Sequence, residues 1–297
     1  MNASRMCAPL ALSVCLGVPC IAGPQPPSPR TSPVPQRVMS LSLCTDALVL
    51  GLLPPERITS VTYLAHHSSD PSLAAHAARV GTNHGDAEEV LAEAPDLVLA
   101  GTYSTPAVRD LLRRLGAPLL VVPPANDFEE IRRTVRRVAQ AVGAEPRAEA
   151  WLARMDATLT ALARARPPHR IRVAAWSGDG FVPGRGSLFD AVLTAAGGVD
   201  IAAPAGGRRG FLDIEELLAA HPDVLAYAAE QAAPALKTDT AEHPLLLWLY
   251  RHRRVTYPEL FVDDCGLPES ADAARALRSE LWVIERPGGA RDSGGAP

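Results

Sequence analysis

Glu88 and Glu215 are the residues whose type and spacing speak most directly of chemistry. They hold the same place in a segment that the chain contains twice, DAEEVLAEAPD at 86–96 and DIEELLAAHPD at 213–223, offset by 127 with 7 of 11 positions identical. In each copy the Asp (Asp86, Asp213) stands where a helix N-cap belongs, and the acid three residues on (Glu89, Glu216) completes a capping box. Glu88 and Glu215 are left over. A carboxylate at the second helical position favours the helix dipole by roughly a few tenths of a kcal/mol. The other reading is a pair of acidic knobs, one per half of the molecule, for a partner with paired basic pockets. The dipole gain alone does not require Glu at the same place twice.

The elements around the repeat alternate. Each copy reads as a helix, a proline stop and an apolar strand, Leu97–Ala100 in the first and Val224–Tyr227 in the second. Before and after the first copy come strands at Arg37–Leu41, Ile58–Val61 and Leu119–Val122, with helices at Thr45–Leu53 and Thr105–Leu115. From Asp127 to Ala165 the pattern is helical with a break at Gly143–Pro146, and Arg132, Arg133, Arg136 and Arg137 form a solvated face. Strands then resume at Ile171–Ala175 and Val255–Tyr257, with helices at Ser187–Ala196 and Ala271–Leu281. This predicts an α/β protein of two Rossmann-like lobes with parallel sheets and a cleft between them. The predicted divisions are a leader at 1–22, a Pro/Ser-rich linker at 23–35, a first lobe at 36–126, connecting helices at 127–166, a second lobe at 167–286 and a tail at 287–297.

In such a fold ligands sit at the loops that follow strand ends. The candidates there are Tyr63, His66 and Tyr103 in the first lobe, and Trp176, Phe181, Arg208, Arg209, Phe211 and Phe261 in the second. Aromatic rings offer rigid apolar surface to a macrocycle or catecholate, and adjacent arginines suit an anionic chelate. Asp46, near the start of the first helix, either faces the cleft or caps that helix.

Composition excludes other classes. Hydrophobic residues are 47% and charged residues 21%, enough for a real core and against disorder. A net charge of −4 gives no electrostatic case for nucleic acid. No GxSxG, P-loop, GxGxxG with a following acid, CxxC or HExxH occurs, so no enzyme is expected. Arg5 followed by the apolar run Ala8–Ala22, with small residues at Cys20 and Ala22, reads as a secretion signal cleaved after Ala22; a lipid anchor is the minority alternative. Cleavage leaves Cys44 and Cys265, which in an oxidising compartment either pair or stay as two small buried thiols.

The order SLSLCTDALVLGL, a strand leading to Tyr63, EEVLAEAPDLVLAGTY, a long helix and IEELLAAHPDVL resembles one family. It is similar to the periplasmic substrate-binding proteins of ABC importers for cobalamin, haem and ferric siderophores, over residues 36–284. The resemblance implies two lobes joined by a long rigid backbone helix, no enzymatic cofactor, and a monomer that binds a metal chelate. It also implies that Glu88 and Glu215, each seven residues before the Pro of its copy, dock on arginines of a permease dimer in the inner membrane. Thr102-Tyr103 stands where the cobalamin binders carry a Trp, and Arg208-Arg209-Gly210-Phe211 where they carry Trp-Pro, so cobalamin, haem and a ferric siderophore all stay open. Two alternatives remain. One is direct zinc or manganese binding, favoured by His66, His67, His76 and His84; the other is an interaction or sensor protein without a small ligand. Against zinc, which takes about four ligands, His169, His221, His243 and His252 fall mostly outside the cleft loops.

Overall fold

The structure is a computed structural model that describes residues 34–165, 169–176, 181–201, 209–211, 213–228, 243–258, 261–262 and 265–285. The predicted leader, most of the linker and the tail lie outside these residues, as does Arg208. No described helix is long and apolar enough to cross a membrane.

The first lobe holds five short strands: β1 (Val38–Ser40), β2 (Ile58–Thr62), β3 (Gly81–Asn83), β4 (Leu97–Gly101) and β5 (Leu119–Val122). They form one parallel sheet in the order β3-β2-β1-β4-β5. The chain runs outward one way from β1 and the other way from β4, so the topology switches direction between them. Helices α1 (Leu43–Leu52), α2 (Tyr63–His66), α3 (Pro71–Ala77), α4 (Ala87–Glu93) and α5 (Pro106–Arg114) connect the strands. Helix α1 packs into the main core, while Ala87, Val90 and Leu112 of α4 and α5 close a separate cluster with Met39 and Val98 on the other face of the sheet.

The helical stretch between the lobes is α6 (Phe128–Val142) and α7 (Glu145–Arg164), turned at Gly143 in a left-handed conformation (φ 63°). The 20-residue α7 is the long connector, and α6 folds back along it. The arginine face read as solvated is only partly so. Arg132 bonds Asp156 and Arg136 bonds Glu149, tying the two helices together.

The second lobe has β6 (Ile171–Ala175), β7 (Phe181–Pro183), β8 (Gly198–Asp200), β9 (Arg209–Phe211), β10 (Val224–Ala228) and β11 (Arg254–Tyr257). Its parallel sheet runs β11-β10-β6-β8, and β7 pairs with β9 in an antiparallel ribbon. Helices α8 (Leu188–Ala196) and α11 (Ser270–Glu285) pack into the main core, whereas α9 (Ile214–Ala219) and α10 (Pro244–Leu249) cover the outer face. The main core is continuous through α1, α6, α7, α8 and α11.

The repeated segment has a physical account in both lobes. Glu89 and Glu216 accept the backbone N–H of Asp86 and Asp213, as capping boxes require. Each helix exits through a non-glycine residue with positive φ, Ala94 (45°) and His221 (49°), before Pro and Asp. The Asp then anchors the first strand of its lobe: Asp96 accepts the Arg37 N–H at 2.9 Å and Asp223 accepts the Arg172 N–H at 2.9 Å. The same two arginines reach back to the free carbonyls at the helix end, Arg37 to Glu93 and Arg172 to Ala220.

Candidate functional site

A cavity of about 380 Å³ opens at the C-terminal ends of β1, β4 and β5, at the point where the strand order reverses. Open α/β sheets bind ligands at such places because two neighbouring loops diverge there. Its walls are Leu41 and Ser42 after β1, Gly101–Ser104 after β4, Val122–Ala125 after β5, the first turn of α1, Leu64, Thr134, and a return segment Cys265–Leu267.

Local contacts hold these loops. Ser104 Oγ accepts the Gly101 N–H at 3.1 Å, and Thr102 N–H donates to the Val122 carbonyl at 3.2 Å. Ser42 and Thr45 share a hydroxyl hydrogen bond of 2.7 Å at the start of α1. Gly266 has no room for a side chain: a Cβ there would lie 2.3 Å from the Ala125 carbonyl oxygen. Beside it Cys44 and Cys265 form a disulfide with Cα atoms 5.2 Å apart. The return segment is therefore clamped to the first lobe at the floor of the cavity. The lining is apolar with hydroxyls from Ser42, Thr45, Thr102 and Ser104, and no charged side chain lines it among the described residues. Such a surface accepts a bulky neutral face and offers it a few hydrogen bonds.

Tyr103 stands at the mouth, 81% exposed. Tyr63 is half-exposed beside Leu64 and stacks on His84, ring centroids 5.5 Å apart. His84 in turn contacts the Glu89 carboxylate at 3.1 Å, and His66 pairs with the Thr82 hydroxyl at 2.8 Å. These side chains form a rim at the ends of β2 and β3 rather than the cavity wall. Burial opposes ionisation of Glu89, but hydrogen bonds from the His84 backbone and ring and from Asp86 outweigh it and hold the carboxyl below its ordinary value. No three His, Cys, Asp or Glu side chains converge as a metal set among the described residues.

Other candidates stand elsewhere. Trp176 is buried in the outer-face cluster with Leu217, Leu225 and Leu246. Strand side chains alternate: Val173 and Ala175 face the main core, so Ala174 and Trp176 face outward under α9 and α10. Phe261 lines a second cavity of about 370 Å³, on a different flank of α1, with Trp151 and Glu269. Phe181 and Phe211 are backbone partners in the register of the β7–β9 ribbon, as are Pro183 and Arg209. Asp46 neither lines the cleft nor caps its helix. It is fully buried and accepts the Thr62 N–H and hydroxyl, joining α1 to β2. Burial raises its carboxyl to about 7 against the lowering effect of bonds from Ser40 and Thr62.

Sequence reasoning missed the loop after β5, and of the return segment it named only Cys265, at the end of the candidate stretch from Phe261 and as a possible partner of Cys44. The double proline at 123–124 marked a strand end; nothing local to Gly266 marked its approach to Ala125.

Comparison with known proteins agrees with this architecture. The Bacillus subtilis (strain 168) protein YvrC, described as an uncharacterized ABC transporter substrate-binding lipoprotein, is 27% identical over 128 residues. That match covers 42% of this chain and spans 40% of the relative's length. The periplasmic heme-binding protein RhuT from Roseiflexus sp. RS-1 superposes with a TM-score of 0.71 at 24% identity, covering 84% of this chain and 99% of that one. The vitamin B12-binding protein BtuF of Vibrio cholerae does so with a TM-score of 0.65 at 18% identity, covering 86% and 99%. Both likenesses are in fold. The periplasmic binding protein family model matches residues 38–246, most of the described chain, and the chain belongs to that family of binding proteins rather than to the enzymes.

Proposed function

We propose that the chain is the periplasmic solute-binding component of an ABC importer, which captures a metal chelate between its lobes and hands it to a membrane permease. The carrying observation is the cavity at the switch point between β1 and β4, apolar, hydroxyl-bearing and flanked by Tyr103 and Tyr63. Flat aromatic surface beside neutral hydrogen-bonding groups suits a corrin, a porphyrin or the organic shell of a ferric siderophore. RhuT, a heme-binding protein, and BtuF, a vitamin B12-binding protein, have ligands within that set.

Docking in this reading belongs to Glu88 and Glu215. Both are exposed and neither makes a hydrogen bond or ion pair among the described residues, because Glu89 and Glu216 already serve the caps. Exposed ion pairs are individually weak, so two of them set register and encounter rate more than affinity.

Cobalamin, haem and a ferric siderophore, each added at micromolar concentration to the purified protein, separate the ligands. One of them is expected to raise the melting temperature and quench tryptophan fluorescence; no response to any of the three sinks the reading. Glu88→Ala with Glu215→Ala is expected to leave that response intact and abolish uptake in cells, and unchanged uptake removes the docking role.

A further inference from the structure

The second lobe carries a surface unlike the rest of the chain at the N-terminal edge of its sheet, opposite the strand ends whose loops reach the cleft. Helix α10 reads Pro-Leu-Leu-Leu-Trp-Leu, yet only Leu246 is fully buried. Leu245 is 42% and Trp248 63% exposed. After the buried Tyr250 come four basic residues, Arg251-His252-Arg253-Arg254, all exposed. The register sets Arg254 beside Leu225 and Val173 beside Val224, so Arg172 and Arg170 emerge at the same edge, about 10 Å away across β10.

These arginines are held but not neutralised. Arg172 bonds the Ala220 and His221 carbonyls, and Arg251 the Trp248 carbonyl. Arg253 bonds the Leu249 carbonyl and lies over the Tyr250 ring at 5.1 Å. None of the five forms an ion pair among the described residues, and the nearby Asp223 gives its carboxylate to the Arg172 backbone. This concentration of positive charge runs against the net −4 of the chain.

We propose that this corner seats on an anionic phospholipid surface. Trp248 and Leu245 enter the headgroup boundary, where tryptophan is favoured, and Arg170, Arg251, His252 and Arg254 meet the lipid phosphates. Charge complementarity alone fits an acidic protein as well. The unburied leucine and tryptophan on a helix that leads into a basic run fit a lipid surface better, since neither signal suffices there without the other. A molecule seated this way keeps its cleft loops turned to solvent. The proposal is independent of which solute the cleft holds.

Vesicle co-sedimentation tests it. The chain from Gly23 onward is used, which excludes the apolar 8–22 segment and contains the folded unit beginning at Val34. Vesicles of about three parts phosphatidylethanolamine to one of phosphatidylglycerol are expected to carry the protein down at about 0.15 M salt and to release it at about 1 M. Arg251→Ala with Arg254→Ala is expected to weaken partitioning about thirtyfold, at about one basic-residue contribution each. Trp248→Ala is expected to weaken it about tenfold. These side chains are solvent-facing, and an unchanged circular dichroism spectrum shows that the variants fold. Failure to sediment, equal sedimentation with phosphatidylcholine alone, or equal binding by wild type and the arginine variant overturns the proposal. Loss in the arginine variant with none in Trp248→Ala also overturns it, because adsorption is then electrostatic only and the apolar side chains do not enter the headgroup boundary.

Discussion

Asp46 has no solvent exposure, and its carboxylate is held by Thr62 between α1 and β2. Because burial raises its pKa from 3.8 to about 7, the folded state holds a proton there that the unfolded state releases. Stability from this group is therefore fullest below the ordinary carboxylate value and falls as pH rises from about 4 to about 7, by about 4 kcal/mol in all. Asp46→Asn is expected to remove that slope, so that urea denaturation at pH 5 and pH 8 gives a smaller difference for the variant than for wild type. An identical slope would show that Asp46 stays ionised. Arg278 presents the opposite case, a buried cation. Its guanidinium donates to the carbonyls of Leu162 and Ala165 at the end of α7 and of Ala195 and Ala196 at the end of α8. These are orphan acceptors at the negative ends of two helix dipoles. Arg278→Met is expected to cost about 3 kcal/mol or more in chemical denaturation, and Arg278→Lys to recover only part, since one ammonium lacks the planar fork that spans both ends.

Most of the elements were legible in the sequence because their signals are local. Asp86 and Asp213 announced caps, Gly143 announced a helix end, and the apolar runs after each Pro-Asp became β4 and β10. The repeat also shows why Pro and Asp recur: the Asp bonds the start of its lobe's first strand, and the Pro keeps the helix from continuing past the left-handed residue that ends it. Ala94 has no special reason to tolerate φ 45°, so Ala94→Gly is expected to raise stability by about 0.5–1 kcal/mol in thermal or urea unfolding. The site was less legible. Trp176 sits after a strand end, as a ligand residue would, but the two-residue period turns it into the outer-face core. Asp46 stands near a helix start, as a cap would, but its partner Thr62 is 16 residues away on β2. The cavity floor needs Ala125 and Gly266, which are distant in sequence and meet only in the fold. Gly266→Ala is expected to push the return segment off Ala125 and weaken solute binding more than it lowers the melting temperature, checked by ligand titration beside a thermal scan.

Across the whole molecule, one core runs through both lobes and the connector, so the lobes share apolar packing besides the covalent chain. The Cys44–Cys265 bond reinforces this, with 221 residues of sequence separation. Chain-entropy reasoning assigns such a ring about 5 kcal/mol of stabilisation, so reductant is expected to lower the melting temperature by several degrees while the folded spectrum at room temperature is kept. The bond also lies in the cavity lining, with α1 on one side and the return segment on the other. Its two ends keep their separation however the lobes move. Any rearrangement of the chain must therefore keep the start of α1 and the return segment within one disulfide's reach of each other. If the proposed solute sits in this cavity, the wall that the disulfide ties together is the same at capture and at release.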